Sequence, residues 1–219
     1  MIRDSIFDQI ATCGVVPVIA IDEPAQALPL ADALTAGGLP LVEITFRTPA
    51  AAEVMRLITQ ERPRMLVGAG TVLTPANLET AKAKGAAFAV APGLNPQLVK
   101  LARELDIPFV PGVATPSEIE QALALGCKLV KFFPAEALGG IPMIEALSAP
   151  YQHTGVRFMP TGGVTPSNLE AYLKLPTVAA VGGTWLAKKT DMASGNWVGI
   201  QDRCLRARET VTLVRQLPI

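Results

Sequence analysis

Lys131 stands inside an apolar stretch, 127-CKLVKFFPAE-136, with Val130 on one side and Phe132 on the other. Apolar surroundings disfavour the charged form of an amine, and a neutral amine can attack a carbonyl carbon to form a Schiff base. A second ionisable residue, Glu43, interrupts another apolar run in 40-PLVEITFRTP-49. A carboxylate and an amine entering one cavity would supply a general acid/base and a nucleophile. The alternatives are a lysine that turns its head to solvent, or a buried ion pair that only holds the protein together. Arg47 follows the Glu43 run, and its planar fork suits two parallel bonds to a carboxylate; a solvated surface arginine is the other reading. Two glycine turns are predicted, Thr161-Gly162-Gly163 and Gly182-Gly183-Thr184. Glycine permits close backbone approach, and N–H groups at such turns favour anions.

These residues need a scaffold. Eight short apolar runs recur along the chain: VVPVIA from Val15, LVEIT from Leu41, MLVGAG from Met65, AAFAV from Ala86, IPFVP from Ile107, KLVKFF from Lys128, RFMPT from Arg157 and VAAVGG from Val178. Their starts lie 21 to 29 residues apart, room for a strand, a loop and a helix of about three turns. Continuous apolar runs indicate strands covered on both faces. The pattern predicts an α/β fold, a single (β/α)8 TIM barrel over residues 1–219 with an N-terminal helix. A doubly wound sheet shares the local pattern, but the even spacing favours the barrel. Because side chains alternate along a strand, Lys131 shares a face with Leu129 and Phe133, and Glu43 with Leu41 and Thr45. Both lie near the C-terminal strand ends, where barrel active sites gather, and the glycine turns follow strands seven and eight, a common phosphate position. Thr48-Pro49, Thr74-Pro75, Thr115-Pro116 and Thr165-Pro166 are predicted helix starts, with 115-TPSE-118 as a capping box. Residues from Asn196 to Ile219 read as a closing helix with a short tail.

Bulk properties exclude several classes. The 219 residues carry 19 acidic and 19 basic side chains, a formal net charge of 0, with no basic cluster to hold nucleic acid. No apolar run is long enough for a membrane span. The N-terminal MIRDSIFDQIATCG reads as an amphipathic helix and not as a signal peptide. Cys13, Cys127 and Cys204 are widely spaced, which fits reduced thiols in a cytoplasmic protein. The single histidine, His153, rules out a zinc site of several imidazoles and sits in a polar connector.

In order along the chain, EITFRTP, VGAGTVLTP, APGLNP, KLVKFFPAE, PTGGV and VGGTWL closely resemble the class I 2-keto-3-deoxy-6-phosphogluconate (KDPG) aldolases, which overlap with the 4-hydroxy-2-oxoglutarate aldolases. The resemblance runs from about Val15 to Leu186, and the lysine strand followed by FFPAE is its most specific part. It implies Lys131 as the Schiff-base residue and Glu43 as the general acid/base. Arg47 and Thr71 would hold the pyruvate-derived carboxylate, Pro92 and Phe133 would shape the pocket, and Thr161 would lie beside the reacting centre. Gly162, Gly163, Gly182, Gly183 and Thr184 would surround the phosphate; Thr184 departs from the serine expected there. The resemblance further implies a 2-keto acid and a phosphorylated aldehyde as small-molecule partners, no metal or other cofactor, a homotrimer, and a place in the Entner–Doudoroff pathway. The alternatives are the aldolase for the galactose-series epimer, against which Arg47 argues, a sugar-phosphate isomerase or epimerase, and a non-catalytic phospho-ligand module.

Overall fold

A computed structural model describes residues 2–216. The first half alternates α1 (Ile2–Cys13), β1 (Val15–Ile19), α2 (Ala27–Ala36), β2 (Leu41–Thr45), α3 (Ala51–Glu61), β3 (Leu66–Gly70), α4 (Pro75–Ala83) and β4 (Phe88–Val90). Then come α5 (Pro96–Glu104), β5 (Phe109–Val110), β6 (Gly112–Val113), α6 (Pro116–Ala124), β7 (Leu129–Phe132) and α7 (Gly140–Ser148). The chain continues through β8 (Arg157–Pro160), α8 (Leu169–Leu173), β9 (Val181–Gly183), α9 (Lys189–Ser194) and α10 (Trp197–Gln216). The expected short tail at 217–219 lies outside the described residues. Among the described residues no helix is long and apolar enough to cross a membrane.

The architecture is an α/β fold of parallel strands linked through helices. Six strands are ordered β5-β4-β3-β2-β1-β9, and three are ordered β6-β7-β8. The eight expected strands are therefore not one continuous ladder. The fifth apolar run, Ile107 to Pro111, holds β5, and the strand resumes past Pro111 as β6, because proline has no N–H to give the ladder. Its carbonyl still accepts the Lys131 N–H at 2.8 Å. Between β8 and β9 the ladder thins to isolated parallel bridges, Phe158 to Val178 and Thr161 to Gly182. Gly182 and Gly183 lie within β9, in register with Val16 and Pro17, so the second predicted glycine turn is a strand end.

Adjacent strand residues join different clusters, as a two-residue alternation requires. Val16, Leu41, Phe88, Val110, Leu129 and Met159 pack together with Ile10 and Ala11 of α1. Val42, Ile44, Val130, Phe132 and Phe158 face the other way, into the larger cluster shared with the helices. Strands buried on both faces explain the unbroken apolar runs. Lys131 and Glu43 follow Leu129 and Leu41 on the first face.

Thr74 and Thr115 cap α4 and α6, the latter through a complete capping box, each arrangement contributing about 1 kcal/mol. The other two predicted caps do not form. Thr48 gives its hydroxyl proton to the Ile21 carbonyl at 2.5 Å, and α3 starts later without a side-chain cap. Thr165 pairs with Ser167 Oγ at 2.8 Å, and α8 starts at Leu169. At the opposite pole from the strand C-termini, α10 reaches back to α1. Arg208 donates to the carbonyls of Thr12 and Cys13 at 2.9 and 2.6 Å, and Arg215 donates to that of Ala11. These guanidiniums satisfy carbonyls at the C-terminus of a helix that has no basic residue in its own last turn.

Candidate active site

Two strands bring the ionisable pair together. Glu43, the third residue of β2, is fully buried, and Lys131, the third of β7, is 5% exposed. Lys131 Nζ lies 3.6 Å from Glu43 Oε1. That is ion-pair range but longer than a good hydrogen bond, and neither Glu43 oxygen has a hydrogen-bond partner among the described residues. A buried carboxylate with both oxygens uncommitted can take or give a proton for a ligand placed between it and the amine. The Phe133 ring lies 5.4 Å from Lys131 Nζ, giving the amine an apolar and quadrupolar neighbour.

Gly70 seats Glu43. It closes β3, opposite Thr45 in register, and a Cβ there would overlap Glu43 Oε1 and come within 2.7 Å of Cγ and Cδ. Sequence reasoning passed over Gly70; the available signal was a glycine at the end of a strand beside the acid-bearing strand, which marks close approach. Gly70→Ala is expected to push the carboxylate off the lysine. Turnover should fall about 10²-fold or more, and stability by about 1–3 kcal/mol from overpacking. Steady-state rates and urea denaturation measure both; an alanine variant with full activity would mean the Glu43 position is immaterial.

Most of the other candidates follow strand ends, and Gly182 and Gly183 close β9. Arg47 is exposed, two residues past β2, and its Nε–H donates to Thr45 Oγ1 at 3.1 Å. Thr71 follows β3 with a left-handed φ of 54°, an uncommon conformation for a β-branched residue. Pro92 follows β4, and Gly112 of β6 is packed so tightly on its carbonyl that no side chain fits there. Thr161 follows β8, is 3% exposed, and faces Gly182 so closely that a Cβ on Gly182 would overlap its hydroxyl. Gly162 and Gly163 turn with φ of 95° and 86°, values that favour glycine. Gly183 is backed by the Trp185 ring, and Thr184 is exposed at the edge. Lys131 is thus in direct contact range with Glu43 and Phe133, while the remaining candidates ring the same strand ends. The three cysteines are unpaired; burial pushes the Cys204 thiol up to about 12, so it offers no thiolate at neutral pH.

A buried amine facing an uncommitted buried carboxylate, at the C-terminal ends of parallel strands, marks the class as an α/β enzyme equipped for carbonyl chemistry. A family model described as "Aldolase: KDPG and KHG aldolase" matches residues 6–203, and the chain belongs to that family. It is 48% identical over 192 residues to the 2-dehydro-3-deoxy-phosphogluconate aldolase of Haemophilus influenzae, covering 88% of this chain and 90% of that protein. It is 43% identical over 206 residues to the KHG/KDPG aldolase of Escherichia coli K12, covering 93% and 94%. Among solved structures, it matches KDPG aldolase from Legionella pneumophila with a TM-score of 0.87 and 43% identity, over 93% of this chain and 96% of that one. That crystal structure holds pyruvate captured at low pH as a covalent carbinolamine intermediate.

Proposed function

We propose that this protein is a Schiff-base aldolase that reversibly cleaves 2-keto-3-deoxy-6-phosphogluconate to pyruvate and glyceraldehyde 3-phosphate, and also accepts 4-hydroxy-2-oxoglutarate. The observation that carries the reading is the Lys131–Glu43 approach of 3.6 Å inside the fold. Lys131 in its neutral form attacks the C2 ketone, and Glu43 moves the protons that turn the carbinolamine into an iminium with loss of water. Glu43 then takes the C4 hydroxyl proton. The C3–C4 bond breaks, its electron pair flows into the iminium, and the aldehyde leaves. The remaining enamine is protonated at C3, and water hydrolyses the resulting iminium to release pyruvate and the free lysine. The protonated imine is the electron sink for C3–C4 cleavage.

Arg47 and Thr71 receive the keto-acid carboxylate, Pro92 and Phe133 wall the pocket, and Thr161 lies next to the reacting carbons. Gly162, Gly163, Gly182, Gly183 and Thr184 form the phosphate end; the positive φ values at the first two support this, since glycine takes them readily and permits close backbone approach. We further take residues 1–219 as one domain, with β5 and β6 as halves of one strand, so that the two sheets close into an eight-stranded barrel. A homotrimer, a cytoplasmic location and a role in the Entner–Doudoroff pathway complete the reading.

Incubation with pyruvate and borohydride tests it. The imine should be reduced to an N-(1-carboxyethyl) group, and peptide mapping should find it on Lys131 alone. Full activity with Lys131 unmodified after saturating treatment would remove the imine from the mechanism.

A further inference from the structure

We propose that Thr45 is a positioning residue that holds the Arg47 guanidinium in the orientation that receives the keto-acid carboxylate. The inference rests on the reading of Arg47 given above. Thr45 ends β2 on the same face as Glu43 and is 1% exposed, an unusual place for a hydroxyl without a task. Its one proton goes to the Ile19 carbonyl of β1 at 3.1 Å. Its lone pair is therefore what faces Arg47, and it accepts the Nε–H at 3.1 Å. The rotor is fixed in one sense, as a donor to β1 and an acceptor from arginine.

Holding Nε leaves the N–H groups of Nη1 and Nη2 to meet a carboxylate in two parallel bonds. The backbone reinforces the hold. The Arg47 N–H donates to the Thr45 carbonyl at 2.7 Å, and Thr48 on the other side is tied to Ile21 by its hydroxyl at 2.5 Å. Arg47 is exposed and long, so an unheld side chain would spread over many rotamers and pay their ordering cost on binding. Thr45 removes that cost in advance.

The test reads the pyruvate concentration that half-saturates borohydride trapping. Thr45→Val keeps the shape and removes the hydroxyl; it should raise that concentration about ten-fold and leave the maximal trapping rate within about two-fold. Thr45→Ser should restore wild-type behaviour, and Thr45→Ala carries the same test should the valine variant fold poorly. In an Arg47→Met background, Thr45→Val should add nothing, because the two residues act as one unit. An equal rise in both backgrounds would mean a general packing role and overturn the proposal. So would an unchanged requirement in Thr45→Val while Arg47→Met raises it. An unchanged requirement in Arg47→Met overturns the Arg47 reading, and the role of Thr45 with it.

Discussion

Lys131→Met is expected to lower cleavage of 2-keto-3-deoxy-6-phosphogluconate by at least about four orders of magnitude and to leave no borohydride-stable adduct with pyruvate. The thioether keeps much of the volume but offers no nitrogen to the ketone. The substitution also has a thermodynamic signature. Glu43 is fully buried 3.6 Å from the amine, so removing one member of this buried pair is expected to cost about 3–5 kcal/mol. Replacing both partners by apolar residues, Lys131→Met with Glu43→Leu, should recover most of that stability and none of the activity. Urea denaturation of the two variants, next to a coupled assay for pyruvate release, separates the contributions. Appreciable turnover in Lys131→Met would assign the nucleophile elsewhere.

Glu43→Gln is expected to retain the adduct site while losing speed. Lys131 is intact, so borohydride should still trap pyruvate on it, but about 10²- to 10⁴-fold more slowly, because an amide cannot shuttle the proton through the carbinolamine. Cleavage should fall at least as far, since the proposed mechanism has the same carboxylate deprotonate the C4 hydroxyl. The slow adduct and its unchanged position distinguish a proton carrier from a nucleophile. Trapping at the wild-type rate would move the proton traffic to another group or to solvent.

Much of this was legible in the sequence. The eight apolar runs mark the strands, because each strand is buried on both faces and hydrophobicity registers burial. Lys131 and Glu43 were legible for the same reason: a charge inside such a run stands against its surroundings, and the two-residue alternation gives its face. Proline and threonine pairs were a weaker guide. Thr74 and Thr115 cap as their type suggests, whereas Thr48 spends its hydroxyl on the Ile21 carbonyl, two residues past β1, and Thr165 on Ser167, partners set by tertiary placement. The fifth run ends at Pro111, and the resumption of the strand beyond it as β6 was not read from the sequence. The strand placement of Gly182 and Gly183 was hidden, because a GG pair reads the same in a turn and at a close strand crossing. Gly70 and Thr45 were missed since their roles lie in what they sit against, Glu43 and Arg47, and a single sequence does not print such distances.

The α10 arginines that close the base set an order on how the molecule can be completed. During synthesis the first helix leaves the ribosome early, yet the guanidiniums for its terminal carbonyls come from residues 195 to 204 positions later. The first strand also waits for one of its two neighbours, since β1 pairs with β9, Val15 opposite Val181, as well as with β2. A nascent chain lacking these late segments keeps an open sheet edge and a loose first helix. Closure of the fold therefore waits for these late segments, and a stalled or prematurely ended chain that lacks them is the form most exposed to proteases and aggregation.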